Sequence, residues 1–106
     1  MNILHFKANG QDLESWVASI NDEIIGHIFM KLEPNNTIKF LDAWVSDNHR
    51  RKGVYRQLWD ARWNYVNENY KGYTIYAWCK DSSLPLLLEK GFIAGEIVTY
   101  VEKIIE

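Results

Sequence analysis

The sequence predicts an α+β domain: a mixed, mostly antiparallel sheet with a central parallel strand pair joined by a crossover helix. Three observations predict it. Short runs rich in β-branched and aromatic residues alternate with compact turn signals such as Asn9-Gly10, Asn21-Asp22 and Glu33-Pro34-Asn35-Asn36. One segment, Val54–Asn69, carries apolar residues at helical spacing and stands between two strand-like runs. It is long enough to be a right-handed crossover between parallel strands. No linker, repeat or low-complexity tract breaks the 106 residues, which suit one domain over 1–106.

The elements follow in order. Met1–Lys7 alternates weakly and ends at Asn9-Gly10. Ser15–Ile20 reads as a strand through Trp16, Val17, Ala18 and Ile20. Glu23–Leu32 is the next, with Gly26 marking a bulge or a close approach of another segment. Thr37–Ser46 is the best central strand, because it turns apolar on both faces towards its end. A polar, basic stretch, Asp47–Gly53, leads into the helix over Val54–Asn69. Val54, Leu58, Ala61, Tyr65 and Val66 form its apolar side, which Trp59 and Trp63 widen. Lys71-Gly72 ends it. Tyr73–Cys79 is a strand. Asp81, Ser82 or Ser83 caps a short helix over Leu84–Lys90 that tolerates Pro85 in its first turn and stops at Gly91. Phe92–Ala94 and Ile97–Ile105 close the chain as two strands, or one bent at Gly95.

Composition narrows the partners. A net charge of −2 does not draw the whole molecule to nucleic acid or to an anionic membrane. Charge is uneven, however. Arg50, Arg51, Lys52 and Arg56 place four of the twelve basic residues in one short stretch, which points to a small anionic ligand. The single cysteine, Cys79, excludes an internal disulfide and suits a reducing, cytoplasmic setting. Neither a signal peptide nor a membrane span is expected. Three scattered histidines and one cysteine have no metal-ligand spacing.

The segment Trp44–Val66 carries the chemistry. A buried strand ends near Ser46, a basic loop with Gly53 follows, and a helix starts at Val54. The first N–H groups of a helix have no intrahelical partners, and its dipole is positive there, so phosphate is stabilised at such a spot. Gly53 admits close backbone approach and a left-handed conformation. Arg50, Lys52 and Arg56 add charge. The plain alternative is a solvated basic turn, since short motifs of this kind are common.

The run Val45-Ser46-Asp47-Asn48-His49-Arg50-Arg51-Lys52-Gly53-Val54-Tyr55-Arg56-Gln57-Leu58 resembles motif A of the GCN5-related N-acetyltransferase (GNAT) superfamily, roughly V-x-P-x-Y-R-x-K-G-x-G-x-x-L. Leu88-Glu89-Lys90-Gly91-Phe92 is similar to a second family segment, and the two stand in the family order across Trp16 to Lys103. The chain departs from the pattern in several places. Asp47 stands for Pro, His49 for Tyr, and Tyr55 for the second Gly or Ala. Leu87 aligns with a tyrosine that often protonates the departing thiolate. Between the first two strands, Lys7–Asp12 leaves room for a turn where the family has helices.

The resemblance implies acetyl-CoA as cofactor, bound by Val45, Arg50, Arg51, Lys52, Gly53, Val54, Tyr55 and Arg56. Pantetheine would lie between splayed parallel strands, the Val45 N–H on the thioester carbonyl and the pyrophosphate on the N–H groups of Arg51 to Arg56. The activity implied is transfer of an acetyl group to a primary amine, on a small molecule or a protein. The alternative is an acetyl-CoA-binding regulatory module without catalysis. Asp42 is the best-placed base, against the plain reading of a solvent-facing or Arg-paired strand charge. His27 and His49 are weaker, and His5 has no sequence neighbours that suggest chemistry. Cys79 and Tyr76 are further donors by position, although a structural role is the simpler one for Cys79. Neither nucleic acid nor membrane is an expected partner; a homodimer is left open.

Overall fold

In the computed structural model, residues 1–8, 12–78, 83–94 and 100–106 are described, with only the backbone of Asp42, Ala94 and Tyr100. The strands are β1 (Asn2–Lys7), β2 (Leu13–Ile20), β3 (Glu23–Glu33), β4 (Thr37–Val45), β5 (Thr74–Trp78), β6 (Ile93–Ala94) and β7 (Tyr100–Ile104). They form one sheet in the order β1-β2-β3-β4-β5-β7-β6. Among the described residues only β4 and β5 pair in parallel; every other pair is antiparallel. The helices are α1 (Val54–Asn69), which is the crossover, and α2 (Leu84–Glu89).

The turns explain the meander. Asn21 and Asp22 both take positive φ, 50° and 65°, between the paired residues Ile20 and Glu23. A two-residue hairpin whose turn matches strand twist needs that geometry, and Asn and Asp tolerate it better than other side chains. Asn35 and Asn36 do the same between β3 and β4. Lys7 pairs with Glu14, so β1 and β2 are antiparallel neighbours along their length.

Both helices lie on one face of the sheet. Glu14, Trp16 and Ala18 alternate inward from β2 towards α1. Trp59 from α1 meets Phe40 of β4 at 5.7 Å and Phe92, just after α2, at 6.2 Å between ring centres. Gly26 is a site of close approach: a Cβ there would lie 3.0 Å from the Trp44 carbonyl and 3.1 Å from Leu58. On the opposite face no helix packs among the described residues, and Leu4, Phe6, Trp44 and Ile104 remain exposed.

Some expectations shift. The second strand begins at Leu13 and the fourth ends at Val45. The α1 bounds agree with the sequence reading, but its buried face does not. Ala61, Trp63 and Tyr65 are half-buried, while Arg62 is buried among Val54, Leu58, Trp59 and Val66. Phe92 leaves the sixth strand and enters the core. Asn9, Gly10, Cys79, Asp81, Ser82, Gly95 and the start of Ile97–Ile105 lie outside the described residues.

Candidate functional site

The parallel pair separates part-way along its length. Thr37 to Phe40 pair with Thr74 to Ala77, and there the ladder stops. β4 runs on to Val45, and among the described residues β5 reaches Trp78 and the β5-facing edge of Leu41–Val45 has no strand partner. β4 also carries one extra residue against β3. Phe29 faces Leu41 and Ile28 faces Ala43, which leaves Asp42 as the bulge. A bulge bends its strand and raises the local twist, and here it starts where β4 leaves β5. The result is an open cleft of about 930 Å³, whose lining includes Leu41, Trp44 and Val45 of β4, Trp78 of β5, Tyr55 of α1 and Leu87 of α2.

The basic loop meets this cleft at Arg50, while Arg51, Lys52, Gly53, Val54 and Arg56 are not among its lining residues. After β4 the chain makes a 3-10 turn over Asp47–His49, with His49 Nδ1 hydrogen-bonded to Ser46 Oγ at 2.7 Å. Arg50 folds back: its Nε donates to the Val45 carbonyl at 3.1 Å and its Nη1 lies 3.2 Å from Asp47. Arg51 and Gly53 both take left-handed φ, 62° and 81°. Gly53 is the residue before the first turn of α1, and no side chain caps that turn. The leading N–H groups of α1 are therefore the uncapped, positive end of a sixteen-residue helix. Arg51 and Lys52 stand exposed beside it. Arg56 is turned to Glu89 of α2 in a two-pronged contact, 3.1 and 3.2 Å. The hydrogen bond to Glu89, and then its charge, raise the Arg56 pKa; the same pair of causes lowers that of Glu89.

Of the proton-transfer candidates, Asp42 sits on the bulge beside the cleft, and its side chain lies outside the described residues, as does Cys79. Tyr76 donates to Glu33 at 2.6 Å and is not part of the cleft wall. His27 stacks on Trp44 with ring centres 5.4 Å apart. His5 has neighbours that sequence did not reveal: its Nε2 is 2.8 Å from the buried carboxylate of Glu14, which also accepts from Tyr70 at 2.9 Å. That cluster joins β1 and β2 to the end of α1, away from the loop. Leu87, buried at 3% exposure, reaches the cleft and has no proton to give. No three-residue group with metal-binding chemistry occurs among the described residues.

Arg62 was not foreseen. Only 3% exposed, it lines the cleft from α1 and donates through Nη1 to the carbonyls of Phe29 (2.8 Å) and Leu41 (3.3 Å), the facing pair beside the bulge. Its guanidinium carbon lies 3.7 Å from the centre of the Phe40 ring. Burial pulls its pKa down to about 9, so it is still a cation at neutral pH.

The model of the acetyltransferase (GNAT) family matches residues 2–92. The chain belongs to the GNAT acetyltransferase family. Solved GNAT structures share its fold. The Tetrahymena GCN5 structure superposes with a TM-score of 0.68 at 16% identity, over 90% of this chain and 69% of that one. A GNAT-family acetyltransferase from Staphylococcus aureus Mu50 gives 0.70 at 17%, over 91% and 70%. A Bacillus anthracis protein named for streptothricin acetyltransferase and solved in complex with acetyl coenzyme A gives 0.60 at 23%, over 89% and 61%. No curated protein sequence matches the chain. GNAT proteins carry out acetyl transfer, and acetyl-CoA is their acyl donor. The donor set fits that cofactor. An uncapped helix N-terminus with left-handed Gly53 suits a pyrophosphate, and an unpaired strand edge beside a cleft suits an amide-bearing arm. Among the described residues no helix is long and apolar enough to cross a membrane.

Proposed function

We infer that this protein is an acetyl-CoA-dependent N-acetyltransferase acting on a primary amine of a small molecule or a protein. One observation carries the reading: the edge of β4 beyond its pairing with β5 and the first turn of α1, through Tyr55, line the same cleft, with Arg50 between them. Acetyl-CoA supplies the activated thioester. In this reading the N–H groups of Arg51 to Arg56 take its pyrophosphate, and Arg50 and Lys52 supply positive charge. The free edge of β4 at Val45 aligns the pantetheine arm and points an N–H at the carbonyl to be attacked. Asp42 accepts the amine proton. With Leu87 in the cleft wall, the thiolate departs without a side-chain acid there, and positioning contributes the rate; good orientation lowers a barrier by as much as ~7–11 kcal/mol. A reducing, cytoplasmic setting suits the single cysteine.

Leu87 also favours a second reading, a module that binds acetyl-CoA without turnover. Calorimetric and thermal titration with acetyl-CoA comes first. At ligand near one hundred times the dissociation constant, stabilisation of roughly 2.7 kcal/mol is expected; no shift at millimolar ligand removes both readings. A thiol-release assay across about pH 6–9 with an amine and peptide panel then decides between them. An enzyme gives a rate that rises with pH as the acceptor amine deprotonates. Binding without release leaves the regulatory module.

A further inference from the structure

We propose that Arg62 is a positioning residue for the acyl donor, a clamp that fixes the β4 bulge and thereby the free strand edge that aligns the donor. The proposal rests on the donor-binding reading of the cleft and goes further by naming what holds that edge in place.

The observations converge on one spot. A strand freed from one neighbour has lost half of the hydrogen bonds that define its path. Among the described residues β4 is in that condition from Leu41 to Val45, and its pairing with β3 is interrupted at the same point by the extra residue. Something else must set the direction of its peptide units. Arg62 is placed to do so, since one Nη1 bridges the carbonyls of Phe29 and Leu41 on the two strands that meet at the bulge. The Phe40 ring under the guanidinium limits its movement. That one NH2 group carries two N–H donors, one for each carbonyl, and the flat guanidinium stacks on the Phe40 ring where a compact ammonium would not.

The placement is also costly. Burying a cation requires compensating partners, and buried ions are often replaced by apolar residues without loss of stability. Here compensation is incomplete: Arg62 Nε is buried without a hydrogen-bond partner among the described residues. Val54, Leu58 and Val66 share its stripe of α1, where a further apolar residue would pack. A cation retained at that position, incompletely satisfied and attached to the bulge, is explained by control of the strand rather than by core stability.

The test uses the full chain and compares wild type with Arg62→Met and Arg62→Lys. Amide hydrogen exchange is read by NMR without ligand, and acetyl-CoA affinity by calorimetry. In folded Arg62→Met the β3-facing amides of Trp44 and Ser46 exchange faster, and those of Ile38 and Ile75, in the intact part of the ladder, do not. The dissociation constant rises on the order of tenfold or more, as misplacement of a binding edge would cause. Arg62→Lys lies between the two. Unchanged local exchange and unchanged affinity in a folded Arg62→Met protein overturn the proposal. A uniform rise in exchange across the sheet also overturns it, because Arg62 would then serve stability alone. If Arg62→Met does not fold, Arg62→Lys decides by the same criteria. Failure of the wild type to bind acetyl-CoA would remove the functional reading, while the exchange comparison still judges the clamp.

Discussion

At Gly53 the backbone conformation and the chemistry make the same demand. A Cβ there would meet only Gln57, 3.9 Å away, so space is not the constraint; the φ of 81° is. An L-residue held left-handed costs about 1–2 kcal/mol, and a β-branched one is worse placed. Gly53→Val should still fold, with a lower melting temperature, and lose acetyl-CoA binding as the first turn of α1 re-orients. Retained binding in the folded variant would reduce Gly53 to a loop residue. Arg51 already bears the same strain at φ 62°, as residues at functional loops often do. The sequence showed Gly53 because glycine in a basic loop before a helix is a visible signal. It hid Arg62, because an arginine on a helix reads as solvent-facing. The clue was its spacing: Arg62 stands four residues from both Leu58 and Val66, inside the apolar stripe. Glu14 was hidden likewise, although it alternates with Trp16 and Ala18 on the inward side of β2.

The helices and strands were legible where a period continued unbroken. The bounds of α1 follow from a sustained helical pattern between Gly53 and Gly72, and the hairpins from paired Asn and Asp residues. The bulge at Asp42 was not legible, since no local composition distinguishes an extra residue in a strand from an ordinary one. The tie between α1 and α2 is equally a product of the folded state. Arg56, expected at the anion site, is engaged by Glu89 on the other helix. Both groups are exposed, half or more of each side chain being in solvent, and such pairs add little to stability. Their significance is electrostatic, because Glu89 places a negative charge beside a residue assigned to an anionic ligand. Glu89→Gln should leave the melting temperature close to wild type and tighten acetyl-CoA binding, the gain shrinking as salt is added. Weaker binding would mean that the fork holds α2 against the cleft and that Arg56 acts through Glu89.

At the scale of the whole fold, the two faces of the sheet differ: one carries both helices and the polar cluster of His5, Glu14 and Tyr70, while no helix covers the other among the described residues. The cluster ties edge strand β1 to the far end of α1, so it should govern how the fold responds to alkali. Burial first, then the hydrogen bond to Glu14, raise the Tyr70 pKa above the ordinary tyrosine value. The sign follows from proton binding. Between the unfolded value, about 10, and the raised one, the folded state holds a proton that the unfolded state has lost. Stability from Tyr70 is thus complete below about pH 10 and declines above it. Arg62 acts in the opposite sense, since its folded pKa of about 9 lies below the unfolded one and favours folding as pH rises through that range. Comparison with Tyr70→Phe cancels the Arg62 effect, which both proteins share. At about pH 8 the variant should be less stable by roughly 1–3 kcal/mol, because a buried carboxylate oxygen of Glu14 loses its donor. The gap should narrow as pH rises beyond about 10, where wild type alone sheds the Tyr70 contribution. Thermal or urea unfolding at a series of pH values measures that gap directly. A difference that stays constant from about pH 8 to 11 would show that the Tyr70 proton is not coupled to folding, and that the hydroxyl acts only as a packing contact.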